Sequence, residues 1–190
     1  MFLTLPAESP IAPLITSDRL MDLGPGRPVV VMKAELDLLD AESICAPQSV
    51  ADRTMADCCL AGLWFYFDFL DPSHRISQNI STDSGSYWHA ILHRREPDSW
   101  NSKYWFRRVG AHPVFPELCR QARMAAAGQP DLPETRFLKS QSRWDPFAFV
   151  DLCEDARLGR VAAEDLCRRI QLAEWQLLFG HCYRRATGTG

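Results

Sequence analysis

The histidines of this sequence are concentrated in one stretch of the chain. Four of the five lie within 39 residues, at His74, His89, His93 and His112, and only His181 lies outside. Because His89 and His93 are four residues apart, their side chains project from the same face of a helix, about 5–6 Å apart at Cβ. Two imidazoles at this spacing can bind one metal ion.

Two further side chains can complete such a site. Glu96 follows His89 by seven positions and shares its helical stripe if the helix extends that far. Two histidines and one carboxylate form a ligand set used by catalytic zinc and non-haem iron. His112, beside Pro113 in a turn, can fold back as an additional ligand. We predict a divalent metal such as zinc, held by His89, His93 and His112. We also predict His89, His93 and Glu96 as the catalytic groups.

Other interpretations of the histidines remain open. The stretch does not match the zincin motif, because Ala90 occupies the position of that motif's general-base glutamate. The histidines can also form a metal-free acid–base or ligand site, or be purely structural, with their rings pointing apart. In a shared site, at least one group among Glu96, Asp68, His74 and His112 should lie within hydrogen-bond or coordination reach.

The same stretch interleaves basic and aromatic residues. Such a pattern is typical of a pocket for phosphate or carboxylate, of a single-stranded nucleic-acid surface, or of a solvated helix face. The net charge of −3 and the pI near 5.9 disfavour nucleic acid. We predict a small anionic ligand, bound by Arg94, Arg107, Arg108, Lys103, Tyr104 and His74.

Residues 64–116 resemble a family of uncharacterised bacterial and fungal proteins. The matching segments are FLDPSHRISQ from Phe69, GSYWHAILHRREPD from Gly85 and NSKYWFRRVGAHP from Asn101. The resemblance implies no activity, fold or cofactor. It implies that ten polar residues belong to the family signature: His74, His89, His93, Arg94, Arg95, Glu96, Lys103, Arg107, Arg108 and His112.

Apolar residues recur at three- and four-residue spacing in most of the chain, which predicts helices. We expect them from Asp52 to Leu70, from Asp71-Pro72 onward, and over 87–95, 100–109, 116–127, 145–158 and 162–183. Residues 29–39 fit a helix, or a strand at 29–32. Residues 81–86 and 128–143 have the composition of loops.

The predicted fold class is an all-α, single-domain bundle of about seven helices over residues 29–190. Prolines and glycines are frequent in residues 1–28, which predicts an irregular N-terminal segment. The longest apolar run, Cys58–Phe67, is shorter than the roughly 18–20 residues of a membrane span, and no secretory signal is expected. The odd count of seven cysteines without a C-x-x-C pair favours reduced, buried thiols and a cytoplasmic protein.

These features predict a soluble helical protein with a polar pocket in residues 68–113 that binds a divalent metal or a small anion. If it is an enzyme, a hydrolytic or lyase step is the favoured chemistry. The alternative is a non-catalytic interaction module that docks a protein partner on its aromatic–basic face. The sequence indicates neither the substrate nor the oligomeric state.

Overall fold

The structure is a computed structural model that describes residues 5–16 and 19–189. Ten α-helices and no strand occur in this part of the chain. The α-helices are α1 (Lys33–Asp37), α2 (Ala41–Cys45), α3 (Arg53–Tyr66), α4 (Leu70–Ser77), α5 (Asp83–Arg95), α6 (Ser99–Val109), α7 (Phe115–Ala127), α8 (Arg136–Ser140), α9 (Pro146–Arg157) and α10 (Glu164–Thr187). Three short 3₁₀ helices add Ala12–Leu14, Val30–Met32 and Pro133–Thr135.

The all-α prediction is confirmed, but the predicted count of about seven helices is too low. The additional helices α1, α2 and α8 have five residues each, too few to show a helical period in the sequence. Residues 29–39 form a 3₁₀ turn and α1, so the strand alternative is wrong. Residues 128–143 contain α8 and a 3₁₀ turn in place of a continuous loop.

Several predicted boundaries shift by a few residues. Helix α3 ends at Tyr66, because Asp68 adopts a positive φ of 64° that no α-helix accommodates. Helix α5 begins at Asp83, so most of the predicted 81–86 loop is helical. Helix α10 continues to Thr187, four residues beyond its predicted end, and Gly188 then takes a left-handed conformation.

Helix α3 is the centre of the larger of two hydrophobic clusters and contacts α2, α4, α5 and α10. Gly62 allows the closest approach, since a Cβ there would lie 2.8 Å from the Trp88 ring and 3.2 Å from Phe179. The indole of Trp175 donates a 2.9 Å hydrogen bond to the Gly62 carbonyl. The second cluster lies between α7, α9 and the first half of α10.

The N-terminal segment contributes to the larger of the two hydrophobic clusters. Ile11 and Met21 are fully buried in the larger cluster, so this segment contributes side chains to the core. Residues 1–4 and 17–18 of the predicted irregular segment lie outside the described residues. The division into residues 1–28 and a single domain 29–190 remains a prediction.

All seven cysteines are buried and unpaired, as the composition suggested. Among the helices of the described residues, none combines the length and the apolar character that crossing a membrane requires.

Candidate metal centre

Two consecutive helices carry three histidines to one place. His74 lies on α4, and His89 and His93 lie on α5. The connection between these helices is short and close-packed: the Thr82 hydroxyl accepts the Gly85 amide at 3.1 Å and caps α5. A Cβ on Gly85 would lie only 2.3 Å from the side chain of Ile80 and 2.4 Å from its carbonyl oxygen. The first turn of α5 therefore rests directly on the turn that leads out of α4.

The three rings form a compact group, which we call the histidine triad. Ring centroids are 4.6 Å apart for His74 and His89, 4.6 Å for His89 and His93, and 5.3 Å for His74 and His93. One ligand nitrogen from each ring lies within 4.8 Å of the others. The interpretation in which the rings of His89 and His93 point apart is therefore wrong.

Hydrogen bonds occupy the second nitrogen of both buried triad histidines. Nδ1 of His89 lies 3.4 Å from the Ser77 hydroxyl on α4. Nδ1 of His93 lies 2.9 Å from a carboxylate oxygen of Glu96, at the end of α5. A hydrogen-bonded Nδ1 and a metal-binding Nε2 are the arrangement typical of histidine ligands in metalloproteins. In His93 the metal would replace the Asn101 amide at Nε2.

Helix α6 closes the other side of the triad. The Trp105 ring lies over that of His89, with centroids 4.2 Å apart. The Asn101 amide nitrogen lies 3.1 Å from Nε2 of His93. Asp98 caps α6 through the Asn101 backbone amide, and the Ser102 hydroxyl donates to the Ala90 carbonyl of α5 at 2.8 Å. These bonds fix α6 against the histidine face of α5.

Burial favours the neutral form of His89, which can bind a metal, over the protonated form. His89 and His93 are buried, and His74 is half-buried. Burial, together with the neighbouring His93 and His74, lowers the pKa of His89 to about 3. His89 is therefore neutral at pH 7, and a neutral imidazole is the form that coordinates a metal.

The structure does not bring His112, a predicted metal ligand, to the triad. His112 follows α6, where its Nε2 lies 3.1 Å from the Ser84 hydroxyl and its ring lies 4.9 Å from that of His181. Nδ1 accepts the Val114 amide at 3.3 Å. His112 therefore lies outside the triad, and its ring nitrogens contact Ser84 and Val114 instead.

Arg94, a predicted ligand-binding residue, points into the core. It forms a 2.5 Å ion pair with Glu174 of α10, and both side chains are almost completely buried. Tyr87 donates to the other oxygen of that carboxylate at 2.9 Å. The next residue, Arg95, bonds Asp68 at 2.6 Å. Neither arginine forms a hydrogen bond with a triad histidine.

The remaining predicted ligand residues lie along α6. Arg107 and Arg108 are exposed, and Arg108 lies over the Trp105 ring at 5.3 Å. Lys103 pairs with Asp151 of α9 at 2.5 Å. Tyr104 is 40% exposed and stacks on Trp100, which is 74% exposed. These residues thus form surface and interhelical contacts and do not surround one common ligand position.

Sequence reasoning missed three residues around the triad: Ser77, Asn101 and Trp105. Ser77 follows His74 by three residues on α4, a spacing that offered a signal. Nothing in the sequence indicated that α6 would cover α5 at Asn101 and Trp105.

No family model, curated protein or solved structure matches this chain in the comparisons with known proteins. This result is consistent with the resemblance to an uncharacterised family.

Proposed function

We propose that the protein binds a divalent transition metal such as zinc through His74, His89 and His93, and that the bound ion activates water for a hydrolytic or lyase reaction. The observation that carries the proposal is the convergence of three ligand nitrogens within 4.8 Å on two packed helices. Three protein ligands with one open position are typical of catalytic zinc sites.

The change that metal binding requires is small. In a tetrahedral site with zinc–nitrogen bonds of 2.0–2.1 Å, two ligand nitrogens lie about 3.4 Å apart. The triad nitrogens, within 4.8 Å of one another, reach this spacing by rotation of the side chains. Ser77 and Glu96 orient His89 and His93 but allow such small rotations, and the half-buried His74 can adjust most.

The environment of the triad also suits the proposed chemistry. Zinc lowers the pKa of a bound water to about 7 and so supplies hydroxide at neutral pH. His74 and Glu96 are not fully buried, so the fourth position has access to solvent and substrate on this side. Glu96 acts as a positioning residue in this proposal: its hydrogen bond to Nδ1 orients His93 and increases the basicity of the ligand.

Metal binding by the purified protein tests the proposal directly. We expect elemental analysis to find close to one transition-metal ion per chain. After chelation, zinc should rebind with the same stoichiometry in a competition titration. Replacing a ligand, as in His93→Ala or His89→Ala, should weaken zinc binding by more than the 10–100-fold typical of an outer-shell substitution. Glu96→Gln should fall within that range.

The matched control is His181→Gln, which removes a half-buried histidine outside the triad. It should bind zinc as the parent does. Circular dichroism should show the same helical spectrum for every variant, so that lost affinity is not lost folding. Parent-like zinc affinity in both His89→Ala and His93→Ala would show that the triad is structural.

A second candidate function rests on the exposed aromatic pair of α6. The rings of Trp100 and Tyr104 stack on the surface with centroids 6.1 Å apart, and exposed aromatics are enriched at protein interfaces. They support the proposal of an interaction module that docks a protein partner here. Trp100→Ala should abolish such docking and leave zinc binding unchanged, so the two functions are separable.

A further inference from the structure

A second site lies away from the triad, where α6, α7, α8 and the start of α9 enclose a cavity of about 960 Å³. None of the three triad histidines lines it. Aromatic side chains form much of its wall: Phe106, Phe115, Phe137, Trp144 and Phe147. A volume of this order and a mainly apolar wall are typical of small-molecule sites.

Two hydrogen-bond donors on this wall have no partner in the part of the chain that the structure describes. One is the indole nitrogen of Trp144, a residue that is only 6% exposed, and the other is the side-chain nitrogen of Gln141. The Gln141 side-chain oxygen accepts the Asp145 amide at 3.2 Å, which fixes the amide so that its NH₂ group is the unpaired end. Buried donors are nearly always paired in native proteins, by protein, ordered water or a ligand, so both nitrogens have capacity for a further acceptor.

The charges around the cavity favour an anion. Arg107 and Arg143 line it, and neither forms an ion pair or hydrogen bond within residues 5–16 and 19–189. The acidic lining residue is Asp145, whose Oδ1 accepts the Phe147 and Ala148 amides at the start of α9. His112 also lines the cavity, but burial lowers its pKa to about 3 and leaves it neutral. Two arginines against one aspartate give the lining a net positive charge.

We propose that this cavity binds a small organic acid with an apolar body. Arg107 and Arg143 neutralise the carboxylate. The unpaired donors of Gln141 and Trp144 are covered by neighbouring atoms, and they hydrogen-bond the carboxylate oxygens after a small movement of these side chains. The aromatic wall holds the apolar body. The proposal is independent of the metal site, since the two sites share no residue.

Phenylacetate is the probe that tests this proposal. 2-Phenylethanol is the control that lacks the charge, and acetate is the control that lacks the apolar body. Titrations use the full chain in excess chelator, so that no metal can bind the carboxylate. The readout is the indole N–H signal of Trp144 in a ¹⁵N-labelled sample, assigned by its absence in Trp144→Phe. We expect phenylacetate to shift this signal saturably, and 2-phenylethanol and acetate to bind at least about tenfold more weakly.

Arginine variants test which side chains bind the carboxylate of phenylacetate. Arg107→Gln and Arg143→Gln should each weaken phenylacetate binding about tenfold, the loss of one charge-assisted hydrogen bond. The neighbouring Arg108, exposed and absent from the cavity wall, provides the matched control: Arg108→Gln should bind as the parent does. His93→Ala should also leave phenylacetate affinity unchanged, so that failure of the metal proposal does not affect this one.

Three results would overturn the proposal. The first is the absence of saturable binding for phenylacetate, indole-3-acetate and 4-methylpentanoate alike. The second is phenylacetate binding that persists unchanged in Arg107→Gln and Arg143→Gln, and the third is equal binding of 2-phenylethanol. Either of the last two would show that the arginines recognise no carboxylate.

Discussion

The three triad histidines show which part of a site a sequence can specify. The four-residue spacing of His89 and His93 predicted that their rings converge, and they do, with centroids 4.6 Å apart. His74 was predicted as a ligand-binding residue, and its place beside these rings depends on how α4 packs against α5. His112, which was predicted as a metal ligand, lies outside the triad and contacts the Ser84 hydroxyl and the Val114 amide.

His112 should make the stability of the protein depend on pH. Burial lowers its pKa to about 3, and the nearby His181 and Arg185 contribute to this effect. The unfolded chain takes up a proton near pH 6.5, whereas the folded chain cannot do so until about pH 3. The free energy of unfolding should therefore be fully retained above pH 6.5. Below that value it should fall by up to about 1.4 kcal/mol per pH unit for this residue.

Urea denaturation at pH 7, 6 and 5, in chelator, measures this dependence. His89, whose pKa is also lowered to about 3, should contribute a similar slope, and His181, whose pKa burial also lowers, should add to it. The parent should therefore lose stability with the slope of at least about two protons. His112→Gln should reduce the slope by about one proton, whatever its effect on stability at pH 7. An unchanged slope in His112→Gln would contradict a buried neutral imidazole.

At the level of elements, periodicity located the long helices and failed at their ends. Helices α7 and α9 begin and end within about a residue of their predicted limits, because prolines and capping residues mark them. Helix α5 begins earlier than predicted, since the composition of Ser81–Ser86 resembles a loop. Its start is stabilised by the Thr82 cap and by contact of Gly85 with Ile80, and neither contact follows from composition.

Gly85 should therefore be essential to the α4–α5 connection. Gly85→Ala places a methyl group against the Ile80 carbonyl and side chain. We expect a loss of about 1–3 kcal/mol in the free energy of unfolding, the usual cost of overpacking. Because the same connection aligns the triad, zinc affinity should fall as well.

Gly128 provides the matched control for this substitution. It ends α7 with an ordinary φ of −89°, and no atom lies within 4 Å of a Cβ built there. Gly128→Ala should leave stability within about 1 kcal/mol of the parent or raise it slightly. Chemical denaturation and zinc titration of both variants provide the comparison. Equal stabilities would show that the turn relaxes at no cost.

At the level of the whole molecule, buried ion pairs connect segments that are distant in sequence. Arg94 of α5 bonds Glu174 of α10, and Gln171 of α10 donates to the carbonyls of Met21 and Asp22. Arg19 and Arg95 both bind Asp68. The sequence indicated Asp68 as one of the groups that could reach the histidine site, because it could not show which end of α5 meets α3.

The Arg94–Glu174 pair supports the last prediction, because it holds α5 against α10 without contacting the triad. Glu174 is fully buried and also accepts the Tyr87 hydroxyl, so Glu174→Gln leaves the Arg94 charge buried without its counter-ion. We expect a loss of about 3–5 kcal/mol in the free energy of unfolding at pH 7, the usual cost of removing one member of a buried pair.

The exposed pair of Glu117 and Arg120 is the control, and Arg120→Gln should cost at most about 1 kcal/mol. The double variant Arg94→Met with Glu174→Leu should recover most of the lost stability, since a buried ion pair replaced by apolar side chains is often no less stable. Urea denaturation of the three variants decides the matter: if Glu174→Gln costs no more than Arg120→Gln, the pair is not a structural link between α5 and α10.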